Sequence, residues 1–600
     1  ARGANGVIMV TTKRGNKEGG TKVSYSGSVS LAHRARKMDT MNAQEWCDAF
    51  MQGIENENRW GSDKDGNPFN WSTNRADWFT DRRFFDSNGN PLYDTDWQDE
   101  ATRTAISHNH QLNVQQGGEK SSMGAFLNYT DNQGIMLNTY SKRLNAKIAY
   151  DANPTTWLST AVNLAVNHTW GNSTPEDGGG QDARRTMIEM VPWMPVQYNG
   201  KYTSTNTPEG MPMDFEAMSN PVHILKTYKN MNYNTKVFGN AALTFHIIEG
   251  LDLKTQFGVD ANFKTLHKYM PSDLVNLAYD QHGRAERYHA NTLYWQEETY
   301  LTYNKTIGEH RINAMAGLSW QERKYDYSRM YTENFTTDFF EDFNMDAGTK
   351  PDAPKTYWER WSMNSYFLRF AYTFKDRYSA TITGRYDGSS KYAFFPSAGL
   401  AWNITQEDFM SDQNTISNLK LHTSYGLTGN SEIGVYKSLA TVKSETLLLN
   451  GTRNSYSYLN RLPNSDLKWE KTAQFDIGFD LGLFNNRITL DASYYNKKTS
   501  DLLLDAPVPH TTGFETVYKN IGSIRNQGLD LMLSTRNIDT KDFTWTTSIN
   551  ANFNKNKILS LGDNDEDILK NEWVSGASIL RVGESVGSFY GYKRLGVYTI

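Results

Sequence analysis

The sequence is poor in cysteine, since Cys47 is the only one among 600 residues. One thiol excludes an internal disulfide framework and a cysteine-rich metal site. The His-Glu-x-x-His helix of zinc hydrolases and the Gly-x-Gly-x-x-Gly loop of dinucleotide enzymes are also missing. We therefore expect no enzyme, no catalytic residue and no bound cofactor.

Long apolar runs are missing as well. A membrane-spanning helix needs about 18 or more consecutive apolar residues, and no such run occurs. The net charge of −5 gives no basic surface for nucleic acid. Apolar residues make up 38% of the chain, yet aromatic residues reach 13%, which excludes a disordered polymer. This composition is typical of a large β-protein whose apolar residues are spread in alternation.

The alternation itself is present throughout the chain. Residues 473–483 place apolar side chains at odd positions and polar residues or glycine at even ones, and residues 543–554 do the same except at Thr547. A period of two predicts strands with one apolar and one polar face. About 18 such segments occur, many of about 11–15 residues, against a usual strand of about 5–6. Strands of this length, tilted by about 40°, cross an apolar band of about 25 Å.

The connections between these segments alternate in length. Short gaps follow the even-numbered segments, at 117–120, 151–154, 248–250, 374–377 and 484–487. Long gaps follow odd-numbered ones, at 34–104, 170–232, 263–291, 331–356, 430–468 and 556–584. Short periplasmic turns at one rim and long extracellular loops at the other are typical of a transmembrane barrel, which must close because lipid cannot satisfy an open sheet edge. The predicted fold is therefore an all-β, antiparallel outer-membrane β-barrel.

The alternation also predicts which way the side chains point. Six apolar residues are expected to face lipid: Leu158, Leu164, Phe475, Phe479, Leu490 and Phe553. Four polar residues are expected to face the lumen: Asn163, Asp476, Asp491 and Asn550.

The first long loop is rich in aromatic residues. We take four of them as candidate contacts for a ligand or partner: Trp60, Trp71, Trp78 and Trp97. Flat rings can cover the apolar faces of sugars, but they can equally pack the loop onto the barrel, and the sequence leaves both readings open. Residues 62–67 and 563–567 resemble calcium loops, although Asp, Asn and Gly are also ordinary turn residues, so calcium in an extracellular loop is an alternative expectation.

Several motifs resemble one family of transporters. "ARGANGVIMVTTKRG" at 1–15 resembles the closing plug motif of SusC-like TonB-dependent transporters (the SusC/RagA family). Residues 95–136 resemble that family's first loop with its strands 2 and 3, residues 467–504 its late hairpin, and "VGSFYGYKRLGVY" at 586–598 its near-terminal strand. The resemblance implies that 1–20 end a plug domain and its linker and that 21–600 form the barrel.

The resemblance also implies a function and partners. We expect TonB-dependent import of large nutrients, with oligosaccharides favoured over peptides, together with a SusD-like surface lipoprotein in the outer membrane. TonB would act through a box that these residues do not contain. The alternatives are a receptor for iron chelates or cobalamin without a lipoprotein lid, and a passive porin-type barrel.

A final expectation concerns closure. Family barrels have 22 strands, and about 18 are found here, so the sheet is expected to be incomplete at its C-terminal end. The strand near residues 23–31 and the strand near residues 589–599 should then be unpaired edges with a gap between them.

Overall fold

The computed structural model describes residues 14–15, 19–174, 182–205, 210, 218–274, 283–389, 391–430, 434, 436–514, 516–562, 564–570, 578–593 and 596. Its strands are β1 Gly20–Ala32, β2 Ala105–Gly117, β3 Ser121–Gln133, β4 Tyr140–Thr155, β5 Leu158–Asn172, β6 Gln197–Tyr198, β7 Lys201–Tyr202, β8 Lys229–Ile248, β9 Leu251–Met270, β10 Arg284–Ile307, β11 His310–Phe335, β12 Gly348–Pro351, β13 Lys355–Phe374, β14 Tyr378–Gly388, β15 Tyr392–Asn403, β16 Ile416–Asn430, β17 Thr441–Leu449, β18 Thr452–Arg461, β19 Glu470–Leu483, β20 Ile488–Ser500, β21 Leu503–Pro507, β22 Thr516–Asn520, β23 Ser523–Asp539, β24 Thr544–Ser560, β25 Ile568–Lys570, β26 Ser578–Leu580 and β27 Ser588–Phe589.

The helices belong to the loops between strands. They are α1 Ala43–Trp60, α2 Arg75–Trp78, α3 Trp97–Glu100, α4 Ala183–Glu189 and α5 Pro221–Thr227. In the part of the chain that the structure describes, no helix is both long enough and apolar enough to cross a membrane.

Seventeen long strands and the short β12 form one 18-stranded antiparallel sheet. They pair in chain order from β1 to β24, and the short β12 adds to the end of β11. Each pairing joins strands that are neighbours in sequence, as expected for an up-and-down barrel wall. The predicted short turns lie at one rim, and the rim with the long connections is called the long-loop rim below.

The strand predictions are confirmed for every long strand, with two corrections. β9 ends at Met270, β10 begins at Arg284 and β11 continues to Phe335, so much of the gaps predicted at 263–291 and 331–356 is strand. The strand predicted near residue 593 is replaced by the two-residue β27, which pairs with β26 in a small separate sheet. Residues 594–595 and 597–600 lie outside the described part.

The sheet is open, as expected from the strand count. Among the described residues, β1 pairs with β2 and β24 with β23, and no hydrogen-bond ladder joins β1 to β24. β1 and β24 are therefore the two edges of the wall.

The two faces of the sheet differ as the alternation predicts. Leu164, Phe475 and Phe553 lie on the apolar face and are 46%, 40% and 62% exposed, with no second sheet over them in the described ranges. On the opposite face the side-chain amides of Asn128 and Asn145 bond to neighbouring asparagines across β2 to β5. Lipid therefore faces the first surface and the lumen faces the second.

Aromatic residues end the apolar band on both sides. Trp157 stacks with Phe245 near the short turns, and Trp170 lies beside Tyr129 toward the long-loop rim. Tyr and Trp rings at these two levels are the interfacial girdles of a membrane barrel.

Replacing Leu164 with arginine tests this orientation. The charge would enter the lipid-facing band between the two girdles, so we expect folding in lipid to weaken by about 2–4 kcal/mol if the site is near the bilayer midplane. Denaturant titration of the full-length protein in lipid vesicles measures the loss. The matched change Asn163→Arg places the charge on the luminal face and should cost much less; equal costs would contradict the assignment of faces.

The described part of the predicted linker lies against the luminal face. Arg14 forms an ion pair with Asp151, and its carbonyl oxygen accepts a hydrogen bond from Gln115. A Cβ on Gly15 would lie 2.5 Å from the backbone nitrogen of Met123, so only glycine allows this approach to β3. Residues 1–13 and 16–18 lie outside the described part, and the plug assignment of 1–20 stays a prediction.

Candidate functional site

A cap of folded loop covers part of the long-loop rim. It consists of residues 33–104, between β1 and β2, and the described part of 173–228, between β5 and β8. Its largest helix, α1, begins with a capping box in which Asn42 and Glu45 each bond the other's backbone N–H. The first long loop is therefore an ordered layer.

The core of the cap is aromatic. Trp193 is 1% exposed and contacts the rings of Trp46, Phe84 and Phe85 at centroid distances of 6.0, 6.0 and 5.0 Å. Since Trp193 comes from the second loop and the other three from the first, this cluster joins the two loops.

Two of the four candidate tryptophans belong to this packing. Trp97 is 3% exposed and donates its indole N–H to the carbonyl oxygen of Val191 at 2.9 Å. Trp78 is half-buried and bonds the carbonyl of Ser72 at 2.7 Å, with its ring edge-on to Phe50. Trp97 is therefore a packing residue with no free ring face. Trp78 also packs inside the cap, against Phe50, and is only partly accessible.

The other two candidates are exposed. Trp60 ends α1 and is 77% exposed, and Trp71 is 43% exposed. Phe69 stacks on Trp71 at 5.5 Å, and two hydrogen bonds between the backbone of Trp71 and the side chain of Asn58 hold this segment beside α1. We call Trp60, Phe69 and Trp71 the exposed aromatic patch. Their contact with a ligand or partner stays a prediction.

The first calcium-like loop is one of a pair. Residues 63–68 and 86–91 share the pattern D-x-x-G-N-P, and in each the aspartate accepts backbone N–H bonds from its own loop. The side-chain amide of Asn67, followed by its backbone N–H, lowers the pKa of Asp63. These carboxylates already serve as turn acceptors, and the described residues contain no cluster of three metal-ligating side chains. Calcium at residues 62–67 or 563–567 stays a prediction, and Asp563 lies outside the described part.

Cys47 is a built-in reporter for the cap. It is fully buried in the aromatic core, and burial raises its pKa to about 11. Because alkylation requires an exposed thiolate, we expect negligible labelling by iodoacetamide at pH 8 in the folded protein. Rapid labelling under native conditions would contradict the buried position, and denatured protein provides the control.

A second aromatic surface lies on the luminal face, above the girdle. Its six rings come from β10, β11 and β13, and we call them the tyrosine wall: Tyr288, Tyr294, Tyr325, Tyr327, Tyr357 and Trp361. Tyr327 stacks with Tyr357 at 5.6 Å, and the hydroxyls of Tyr288 and Tyr325 are 2.7 Å apart. The sequence reasoning missed this surface, although the spacing of Tyr325 and Tyr327 is a period-two signal.

Ion pairs flank the tyrosine wall. Arg323 bonds Glu359, and Arg329 bonds Glu286 at 2.8 Å. The bond from Tyr357 to Glu359 raises the pKa of that tyrosine, and burial together with the Tyr288 bond raises the pKa of Tyr325. These phenols therefore remain protonated at physiological pH.

A cavity of about 780 Å³ lies lower on the same luminal face. Arg369, Arg385, Glu298 and Asp476 are among its lining residues. The Tyr294 hydroxyl meets the side-chain oxygens of Gln296 and Gln321, and Gln296 in turn bonds Glu298 at the cavity edge. The tyrosine wall and the cavity thus form one continuous surface.

Residues 336–347, here called the clasp, cover the outer face of β9 and β10 beyond the girdle. Asp342 is buried and accepts a bond from Arg287 at 3.0 Å, while its carboxylate lies 2.8 Å from Nδ1 of His267. Asp338 accepts bonds from Tyr269 and Ser272. Glu341 forms an ion pair with Lys229 at the start of β8, so three carboxylates fix the clasp to the strands.

One short motif raises the question of hydrolysis. Residues 583–587 read Gly-x-Ser-x-Gly, but they form turns after the three-residue β26. The hydroxyl of Ser585 is paired with that of Ser588 at 3.2 Å, and a nucleophile elbow would need a histidine there.

Comparison with known proteins assigns the family. The family model described as "TonB dependent receptor-like, beta-barrel" matches residues 181–598. The chain belongs to this family of TonB-dependent receptors. Its members are outer-membrane receptors and transporters, which fits a wall whose apolar face is exposed.

Curated relatives extend the match to the whole chain. TonB-dependent receptor P3 of Formosa agariphila is 31% identical over 618 aligned residues, which include all of this chain and 57% of the relative. TonB-dependent receptor SusC of Bacteroides thetaiotaomicron is 28% identical, with 99% of this chain and 59% of the relative covered. The chain thus spans somewhat more than half the length of these relatives.

Solved structures agree on the fold. The RagAB peptide importer in its "closed-closed" state superposes with a TM-score of 0.83 at 24% identity, covering 98% of this chain and 66% of the solved one. The RagAB peptide transporter gives 0.82 at 23% identity. The RagAB matches show the shared fold. The family model and the curated relatives confirm the SusC-like resemblance that the sequence motifs indicate.

Proposed function

We propose that this chain is the barrel part of a TonB-dependent importer of large nutrients, with oligosaccharides as the favoured cargo. The observation that carries the proposal is the position of its aromatic surfaces. The exposed aromatic patch lies in the cap over the long-loop rim, and the tyrosine wall lies on the luminal face below that rim. A ligand that enters from outside would meet both surfaces.

The proposal includes two partners. TonB would supply the pull that opens the pore, and a SusD-like surface lipoprotein would close over the long-loop rim. An ordered cap supports the second partner, because the Asn58 side chain and the Trp78 ring hold Trp71 in place beside α1. Rigid exposed aromatics are typical anchors of protein interfaces and of sugar sites.

The cargo assignment rests on chemistry. Aromatic faces and amide or carboxylate oxygens suit the apolar ring faces and the hydroxyls of saccharides. A peptide cargo is the second candidate, because the RagAB neighbours are described as peptide transporters. Residues of the wall take part in binding and positioning only, and no catalytic role is proposed for them.

The test changes Trp60 and Trp71 to alanine in the full-length protein within its own host. Uptake of a labelled mixture of neutral oligosaccharides should fall about tenfold, since each ring contributes roughly 0.5–1.5 kcal/mol of contact. Deleting TonB should abolish uptake. The matched control is Trp358→Ala, an exposed tryptophan on the outer face of β13.

Barrel assembly is checked by heat-modifiable migration in gels, which all variants should retain. Unchanged uptake in the double variant would show that Trp60 and Trp71 contact neither ligand nor partner and serve only in packing. Uptake that persists without TonB would contradict active import and favour a passive barrel.

A further inference from the structure

The tyrosine wall leaves part of its ring surface accessible among the described residues. Tyr357 is 42% exposed, and Tyr288, Tyr325 and Tyr327 are half-buried. Buried tyrosines in a core would pack on both sides. Here their rings line a surface that faces the lumen.

Two ion pairs lie beside these rings. Arg323 is held by Glu359 and Arg329 by Glu286, and both carboxylates are more buried than their arginines. A guanidinium engaged by a carboxylate in this way has fewer free donors for an anionic ligand. These two arginines therefore present little free charge beside the rings.

The hydrogen-bonding groups of the wall suit hydroxyl partners. The hydroxyls of Tyr288 and Tyr325 bond each other, and each phenol keeps acceptor capacity beyond that bond. Tyr294 brings a hydroxyl and Trp361 a ring to the same level, with ring centroids 6.2 Å apart. An alternation of flat rings and neutral hydroxyls fits polyhydroxylated rings better than charged groups.

The wall also has a direction. Its rings lie in register with residues 323–329 of β11, which is about 20 Å at roughly 3.3 Å per residue, and below them the luminal surface continues past Gln321 to Gly317. It ends at the cavity of about 780 Å³, which Glu298 and Arg369 help to line. A chain of several sugar rings could lie along this path.

We propose that the tyrosine wall is a stacking track that binds uncharged saccharide rings and guides them from the long-loop rim to the luminal cavity. The inference rests on the proposed import function and adds to it a site and a charge preference. Neutral oligosaccharides are accepted, and sulfated or uronate-bearing ones are disfavoured because Arg323 and Arg329 are already paired.

The experiment uses the full-length protein in lipid nanodiscs and an array of neutral, sulfated and uronate-bearing oligosaccharides. Three variants are compared with the wild type. Tyr327→Ala with Tyr357→Ala removes the stacked pair, and Tyr327→Phe with Tyr357→Phe keeps the rings. Tyr366→Ala removes an exposed tyrosine on the lipid face of β13 and controls for sheet stability. Calorimetry on the best neutral glycan of the array gives the dissociation constants.

The track predicts a pattern of affinities. The alanine pair should bind the neutral glycan at least about tenfold more weakly, because two stacking contacts are lost. The dissociation constant of the phenylalanine pair should stay within about threefold of the wild-type value, since aromatic faces remain. Tyr366→Ala should bind the neutral glycan as the wild type does. Neutral glycans should exceed their sulfated forms on the array.

Each contrary result has a definite reading. If the alanine pair binds the neutral glycan as tightly as the wild type, the stacking track is overturned, while the proposed import function is unaffected. Preference for sulfated or uronate-bearing glycans overturns the charge assignment. If the array shows no glycan binding, the saccharide track is overturned; TonB-dependent uptake of a labelled peptide mixture would then show that the chain imports another cargo.

Discussion

Replacing Trp193 with alanine is expected to open the cap and to cost about 3–5 kcal/mol of its stability. The ring is 1% exposed and touches three aromatic side chains from the other loop of the cap. Its indole N–H has no hydrogen-bond partner among the described residues, so the loss is one of packing alone. Removing the ring leaves a cavity where the two loops meet.

Two measurements detect the opening of the cap in Trp193→Ala. The alkylation rate of Cys47 should rise by more than tenfold, because the thiol lies in the same buried cluster as Trp193. Hydrogen exchange should accelerate in both α1 and α4, which belong to different loops. Acceleration in only one helix would show that the two loops are stable separately.

Trp193→Phe is the matched control. Phenylalanine keeps most of the apolar volume and needs no partner for an N–H group, so the cost should stay below about 1.5 kcal/mol. Trp97→Phe differs, because it leaves the carbonyl of Val191 without its donor and should cost about 1–3 kcal/mol. A larger loss from Trp97→Phe than from Trp193→Ala would contradict the central place of Trp193.

Replacing Asp342 with alanine should release the clasp and cost about 3–5 kcal/mol. Asp342 is buried between Arg287 and His267, and the Nη2 atom of Arg287 is already buried without a bond in the described structure. Removing the carboxylate leaves a partly buried guanidinium with no counter-charge at that side.

Hydrogen exchange over residues 336–347 measures the release of the clasp, and Tyr269 and Phe335 should become exposed to solvent. Asp346→Ala is the control, since that aspartate is exposed in the same segment. An unchanged exchange rate in Asp342→Ala would mean that Asp338, the Glu341–Lys229 ion pair and the packing of Phe335 hold the clasp without Asp342.

The alternation predicts the wall well because a lipid-facing strand must keep one face apolar. Above the girdle both faces of a strand contact water, so the alternation of apolar and polar residues disappears. For this reason the start of β10, which carries Tyr288, and the end of β11 beyond residue 330 are predicted as loop. The strand predicted near residues 589–599 is wrong for another reason: Ser588 and Phe589 pair with β26 in the small sheet of β25 to β27.

The candidate tryptophans differ in burial, which composition alone does not predict. Trp97 follows the helix-capping Asp96 and finds a backbone acceptor in a loop far away in sequence. Trp60 and Trp71 lie beside the turn at residues 62–68 and remain outside. The capping box at Asn42 and Glu45 is a local signal from which the first helix of the cap could have been predicted.

The cap has a mechanical consequence for the wall. It ties the connection between β1 and β2 to the connection between β5 and β8, and its neighbouring cluster adds Met270 at the end of β9. Strands that are bridged at their ends bend less than strands joined only by their ladders. The sector from β1 to β9 should thus be the stiff part of the wall, and any widening of the pore should be taken up by the sector from β13 to β24.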